Sequence, residues 1–166
     1  MKNKENQSRK PKTRNSKNPV SEFLSFGYRT SSRTAGLPRK ELIRAALRAR
    51  KFAIAPYSKF KVGAAFLTKS GEVIGGANVE NASYGLTCCA ERVALFKALT
   101  EGKRNFVAVA VVARCPGGAM PCGACRQLLA EYAPRAIVLV ADSRVPRVVR
   151  EFSARELLPG AFALKP

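Results

Sequence analysis

Two short stretches constrain this chain more than anything else in it. They are Thr87-Cys88-Cys89-Ala90-Glu91-Arg92 and Pro121-Cys122-Gly123-Ala124-Cys125-Arg126. Cys122 and Cys125 form a C-x-x-C pair, which suits two thiolates on one tetrahedral zinc. The chain contains no histidine, so any zinc must be held by sulfur or carboxylate. Cys89 is the natural third ligand, and Glu91 follows it too closely on a helix to be an easy fourth. An open coordination position beside a carboxylate is what water activation needs. Cys88 is an alternative to Cys89, but it lacks the Cys-Ala-Glu spacing. Cys115 forms no C-x-x-C with Cys122.

Both stretches read as helix starts. Thr87 is an expected N-cap before a helix from Cys88, and Pro121 precedes a helix from Cys122 to Tyr132. Helix N-termini carry partial positive charge and favour thiolates. Three thiolates leave a Zn²⁺ site with net negative charge, which weakens the acidification of bound water. Arg92 beside Glu91 is placed to offset it, as is Arg126 beside Cys125; for Arg126 an ordinary helix-surface arginine is an equal reading.

Cys89-Ala90-Glu91 followed by Pro121-Cys122-Gly123-Ala124-Cys125-Arg126-Gln127 resembles the cytidine deaminases, the small nucleoside-acting branch of the zinc deaminases. Three further stretches carry the same resemblance: Tyr57 to Ala65, Asn78 to Tyr84, and Glu156 to Phe162. It spans about Arg39 to Phe162. Where this family often has an aromatic and a cysteine before a proline, Ala53-Ile54-Ala55-Pro56 stands instead.

The resemblance implies one zinc per chain on Cys89, Cys122 and Cys125, with Glu91 as the catalytic acid and base. It implies Phe60 against the pyrimidine ring, and Asn78 and Glu80 at the ribose 3′-hydroxyl. Asn81, Ala82, Tyr84 and Ala90 join them as substrate-binding positions. Phe162 matches an aromatic that reaches a neighbouring subunit's site, which implies a homotetramer. A carboxylate at position 80 accepts from a hydroxyl and repels a phosphate, so it selects free nucleoside over nucleotide.

The implied activity is hydrolytic deamination of cytidine and deoxycytidine by water, a step in pyrimidine salvage. Two other readings stand beside it. One is a modified-nucleoside deaminase of the blasticidin type. The other is a basic nucleic-acid-binding protein with a structural zinc, which the net charge of +19 supports through phosphate attraction.

The 166 residues suggest one folded domain. Residues 1–37 form a basic stretch expected to be a disordered arm, and 38–166 the catalytic domain. Nucleic-acid contact by the arm is the lesser reading. Phe23-Leu24-Ser25-Phe26 is too short for a secretory core, and no apolar run reaches the ~20 residues of a membrane helix. Five cysteines without a secretion signal fit a cytoplasmic protein.

Hydrophobic patterning predicts a helix over Pro38 to Ala55 and strands over Val62 to Thr68 and Val73 to Asn78. It continues with a helix to about Gly102, a doubly buried strand over Phe106 to Ala113, and another over Ala136 to Ala141. A weaker strand over Val145 to Phe152 and a short helix ending at Pro159 close the chain. Alternating strands and helices give an α/β class. The resemblance implies a three-layer α/β/α domain with a mixed five-stranded sheet.

Overall fold

The computed structural model describes residues 36–164. The expected arm over 1–37 therefore lies outside the described residues except at Gly36 and Leu37. The elements are α1 (Arg39–Arg50), β1 (Val62–Thr68), β2 (Val73–Ala77), α2 (Ala90–Thr100), β3 (Phe106–Ala113), α3 (Gly123–Tyr132), β4 (Ile137–Asp142) and β5 (Val149–Ser153). A 3₁₀ turn covers Tyr84–Leu86.

The strands form one sheet in the order β2-β1-β3-β4-β5. Only β3 and β4 run parallel, joined by the crossover that contains α3; the other pairs are antiparallel. The sheet is mixed and five-stranded, and helices cover both faces. Ala65, Leu67, Ala108, Ala110, Val112, Leu139 and Ala141 face α1 through Leu42, Ile43 and Ala46. The alternate residues Ala64, Phe66, Val109, Val111, Val138 and Val140 face α2 and α3 through Ala94, Leu95, Ala98 and Leu129. This period-two sorting explains why the central strands read as unbroken apolar runs: both faces are buried.

Two glycines set how close the helices come. A Cβ on Gly63 would lie 2.1 Å from the Ala46 carbonyl oxygen of α1. On Gly76, one would lie 2.4 Å from the Ala94 nitrogen of α2. Gly76 is thus the close packing that a glycine inside a strand signals. It lets α2 sit backbone-to-backbone on the sheet.

Several boundaries differ from the sequence expectation. Helix α1 ends at Arg50, not Ala55. Phe52 and Ala53 donate back three residues to Ala49 and Arg50, and Ile54 then leaves to pair with the Asn78–Glu80 backbone. Thr87 does not cap α2. Cys89 occupies the N-cap in extended conformation, while Thr87 Oγ1 accepts from the Asn81 amide at 3.1 Å. The last strand begins at Val149 and not Val145, because 143–148 form turns around Pro146. The expected helix ending at Pro159 is a set of turns. Ser153 and Glu156 exchange capping-box hydrogen bonds of 3.1 and 2.8 Å, but Pro159 has no amide to continue a helix and restricts the residue before it.

Candidate active site

The register places three strand ends together. Gly63 of β1 faces Ala77, the last residue of β2, and Val62 faces Ala113, the last residue of β3. The chain leaving β2 reaches Cys89 at the N-cap of α2, and the chain leaving β3 reaches Cys122 at the N-cap of α3. Cys125 lies one turn into α3 and is buried. The motifs therefore meet where two helix N-termini point at one spot, with unsatisfied amides that favour negative sulfur.

The Sγ atoms of Cys89, Cys122 and Cys125 all lie within 4.8 Å of one another. Cys89 and Cys122 sulfurs are 3.7 Å apart. That is far beyond a disulfide, which needs about 2.05 Å. It matches the roughly 3.8 Å edge that zinc–sulfur bonds of ~2.3 Å give in a tetrahedron. The donor set is all sulfur, the choice of zinc among common divalent ions. Hydrogen bonding from the Cys125 thiol holds Cys89 toward thiolate against the cost of burial, with help from Cys122 and Arg92. The same hydrogen bond, together with burial, keeps the proton on Cys125. Cys88, one residue outside the cluster, is half-buried, and burial pushes its thiol up.

Glu91 is buried beside Phe66, Leu95, Cys125, Leu128 and Leu129. This burial raises its carboxyl to about 6. Arg92 donates to the Thr87 carbonyl and adjoins the Cys89 sulfur. Its Nε is buried without a hydrogen-bond partner among the described residues. Arg126 turns to backbone, donating to Pro121 O at 2.8 Å and Leu157 O at 3.3 Å. It ties the start of the Cys122 loop to the C-terminal segment.

The remaining candidate residues stand on two loops that backbone pairing holds together. Val79 bridges Ile54 on one side and Cys88 on the other. Ile54 donates to Asn78 O at 3.0 Å, and Glu80 donates to Ile54 O at 2.8 Å. Val79 and Cys88 exchange bonds of 3.0 and 2.9 Å. Asn78 is buried and holds the Phe60 loop, donating to Phe60 O at 3.0 Å and accepting from the Val62 amide at 2.8 Å. The Glu80 carboxylate accepts from the Tyr57 and Ser58 amides and the Ser58 hydroxyl; the hydroxyl bond, first among these, lowers its pKa. Asn81 accepts from the Ser83 amide, a side-chain turn that shapes the exposed 81–86 loop holding Ala82. Tyr84 meets Tyr57 edge-to-face at 6.4 Å. Ala90 is the fully buried first residue of α2.

Ser58 is the residue that sequence reasoning missed. Its hydroxyl holds Glu80 and accepts from the Phe60 amide at 2.9 Å, so one side chain positions both. The only sequence signal was its place between Tyr57 and Phe60. Phe162 is 69% exposed. Its carbonyl accepts from Gln127 Nε2 at 2.7 Å, which fixes the C-terminal segment to α3.

Comparison with known proteins agrees with this arrangement. Residues 38–141 match the family model of the cytidine and deoxycytidylate deaminase zinc-binding region. The chain is 55% identical over 126 residues to a cytidine deaminase of Halalkalibacterium halodurans, covering 76% of this chain and 95% of that protein. It is 44% identical to one from Sporosarcina psychrophila, covering 75% and 90%. The fold superposes with a TM-score of 0.71 on the crystal structure of cytidine deaminase from Burkholderia pseudomallei, at 52% identity and covering 74% of this chain and 98% of that one. With its three zinc-binding cysteines at paired helix starts and this likeness over most of its length, the chain belongs to the cytidine deaminase family.

Proposed function

We propose that the chain hydrolyses cytidine and deoxycytidine at C4, giving uridine or deoxyuridine and ammonia. The observation that carries this reading is Glu91, buried beside three sulfurs spaced for one zinc. Cys89, Cys122 and Cys125 would hold the metal. When bound, zinc supplies a fourth position at which the pKa of water falls toward neutrality. Glu91 takes the proton from the attacking water and delivers it to ring N3. Once the water oxygen has bonded to C4, Glu91 takes the remaining proton of that hydroxyl and passes it to the amino nitrogen, and the C4–N bond breaks as C4=O forms, releasing ammonia. Arg92 offsets the excess negative charge of the sulfurs.

Phe60 flanks the pyrimidine, and the 81–84 loop with Ala90 bounds the ring and sugar. Glu80 accepts from the ribose 3′-hydroxyl with capacity left by its three present donors. Asn78 does so from the same edge while it holds the Phe60 loop. Because Glu80 is held ionised by Ser58 and the Tyr57 and Ser58 amides, a phosphate on that hydroxyl is repelled. This favours a ribose-bearing nucleoside over the blasticidin-type reading.

Residues 38–166 are the catalytic domain in this reading, which the family match beginning at residue 38 supports. A homotetramer is supported by exposed apolar residues of the 81–86 loop, Tyr84 and Leu86, and by the exposed Phe162. Among the described residues no helix is long and apolar enough to cross a membrane. A cytoplasmic setting agrees with a site that depends on reduced thiols.

The test is cytidine turnover, followed as loss of ultraviolet absorbance, with zinc quantified in the same sample. Turnover at about one zinc per chain is expected. Zinc without turnover on either nucleoside overturns the substrate and brings modified nucleosides forward.

A further inference from the structure

We propose that the end of the sheet opposite the cysteines carries a second binding site, for a polyphosphate group, held by Lys69, Arg135 and Arg155. These cations line a cavity of about 720 Å³ walled by Phe106, Val107 and Ile137, within the size range of small-molecule sites. The register brings them there. Thr68 pairs with Phe106, Ala108 with Ile137, and Ile137 with Ser153. Lys69 follows the first of these strand ends, Arg135 precedes β4, and Arg155 follows β5.

Backbone bonds tie the segments in two pairs, the Lys69 segment to the one before β3 and the Arg155 segment to the one before β4. Lys69 N donates to Asn105 O at 2.9 Å, and Ala154 N donates to Ala136 O at 3.1 Å. Asn105 takes a left-handed φ of 58° to turn into β3. Among the described residues no carboxylate lines the cavity. Of the nearest acidic residues along the chain, Glu72 is held by Lys103 and Ser70, and Glu156 accepts from the amide of Ser153, which lines the cavity. Three like charges lining one concave surface add to a positive field within it. An anion with several charged oxygens complements that field, and the forked guanidinium groups match its geometry. The apolar wall gives a nucleotide base a surface to pack on. Such a ligand differs in kind from the uncharged nucleoside at the cysteine end.

The experiment is calorimetric titration of the full chain with inorganic tripolyphosphate and, separately, uridine triphosphate, at fixed salt. Arg135→Ala/Arg155→Ala is compared with Arg44→Ala/Arg48→Ala, which removes equal charge from exposed positions on α1. The first double variant is expected to weaken tripolyphosphate binding by about tenfold or more, the second by less than about twofold. Thermal melts of both separate lost binding from lost fold. Tighter binding of uridine triphosphate supports the site and assigns a nucleotide to it; equal binding supports it and assigns inorganic polyphosphate. No tripolyphosphate binding by the intact chain overturns the proposal. So does equal weakening in both variants, which marks diffuse attraction. So does a loss confined to single-stranded oligonucleotide, which marks nucleic acid as the partner.

Discussion

At the cysteine end of the sheet, positions are set by backbone: helix starts, isolated bridges and the close approach of α2 over Gly76. At the opposite end backbone bonds fix the chain segments, and the exposed Lys69, Arg135 and Arg155 line a cavity from three loops. The first construction fixes atoms tightly, as three sulfurs and one carboxylate around a reacting carbon require. The second gathers positive charge without fixing reacting atoms, which is enough to attract an anion and not enough for bond chemistry. Substitutions at the two ends should therefore fail differently.

The largest effect is expected from Cys122→Ala, which should abolish stoichiometric zinc and with it turnover. Metal analysis showing full zinc in this variant would remove Cys122 from the ligand set. Glu91→Gln should keep zinc and fold and lower turnover by about 10²–10⁴-fold. Gly76→Ala should destabilise by about 1–3 kcal/mol or more, since α2 must lift off the sheet. Gly85→Ala, where an added Cβ meets nothing within 4 Å, should leave the melting midpoint unchanged. Equal midpoints for the two would refute close backbone packing as the organiser of this end.

Ser58→Ala should act more mildly, raising KM for cytidine about three- to tenfold with kcat less changed, because Glu80 and Phe60 lose a shared anchor. A fall in kcat at constant KM would instead place Ser58 in the chemical step. The smallest effect belongs to the far end. Lys103→Ala removes the exposed pair with Glu72 and should not shift the melting midpoint measurably.

The ends also differed in how far they could be read from sequence. The cysteine end was legible because its chemistry lies in short local spacings, Cys89-Ala90-Glu91 and Cys122-x-x-Cys125. Strand β3 was legible because two buried faces leave an unbroken apolar run. The Ile54–Val79–Cys88 bridges were not, since pairing between distant segments leaves no local signature; that pairing also ended α1 five residues early. Ser58 was hidden because a serine in a loop carries no pattern, and its importance comes only from the carboxylate that the fold sets against it. The far cavity was illegible for the same reason: Lys69, Arg135 and Arg155 look like scattered surface charge until β-register brings them together.

The bridges at Val79 have one more consequence. The segment carrying Asn78 and Glu80 is bonded on one edge to Cys88, beside Cys89, so the loop proposed to hold the sugar and the loop carrying the cysteine form one mechanical body. Their occupants then cannot act as independent ligands. Whatever free energy zinc lends to nucleoside affinity, the nucleoside must return to zinc affinity in equal measure. At equilibrium with a competing chelator, an enzyme saturated with nucleoside would retain more of its metal than one without.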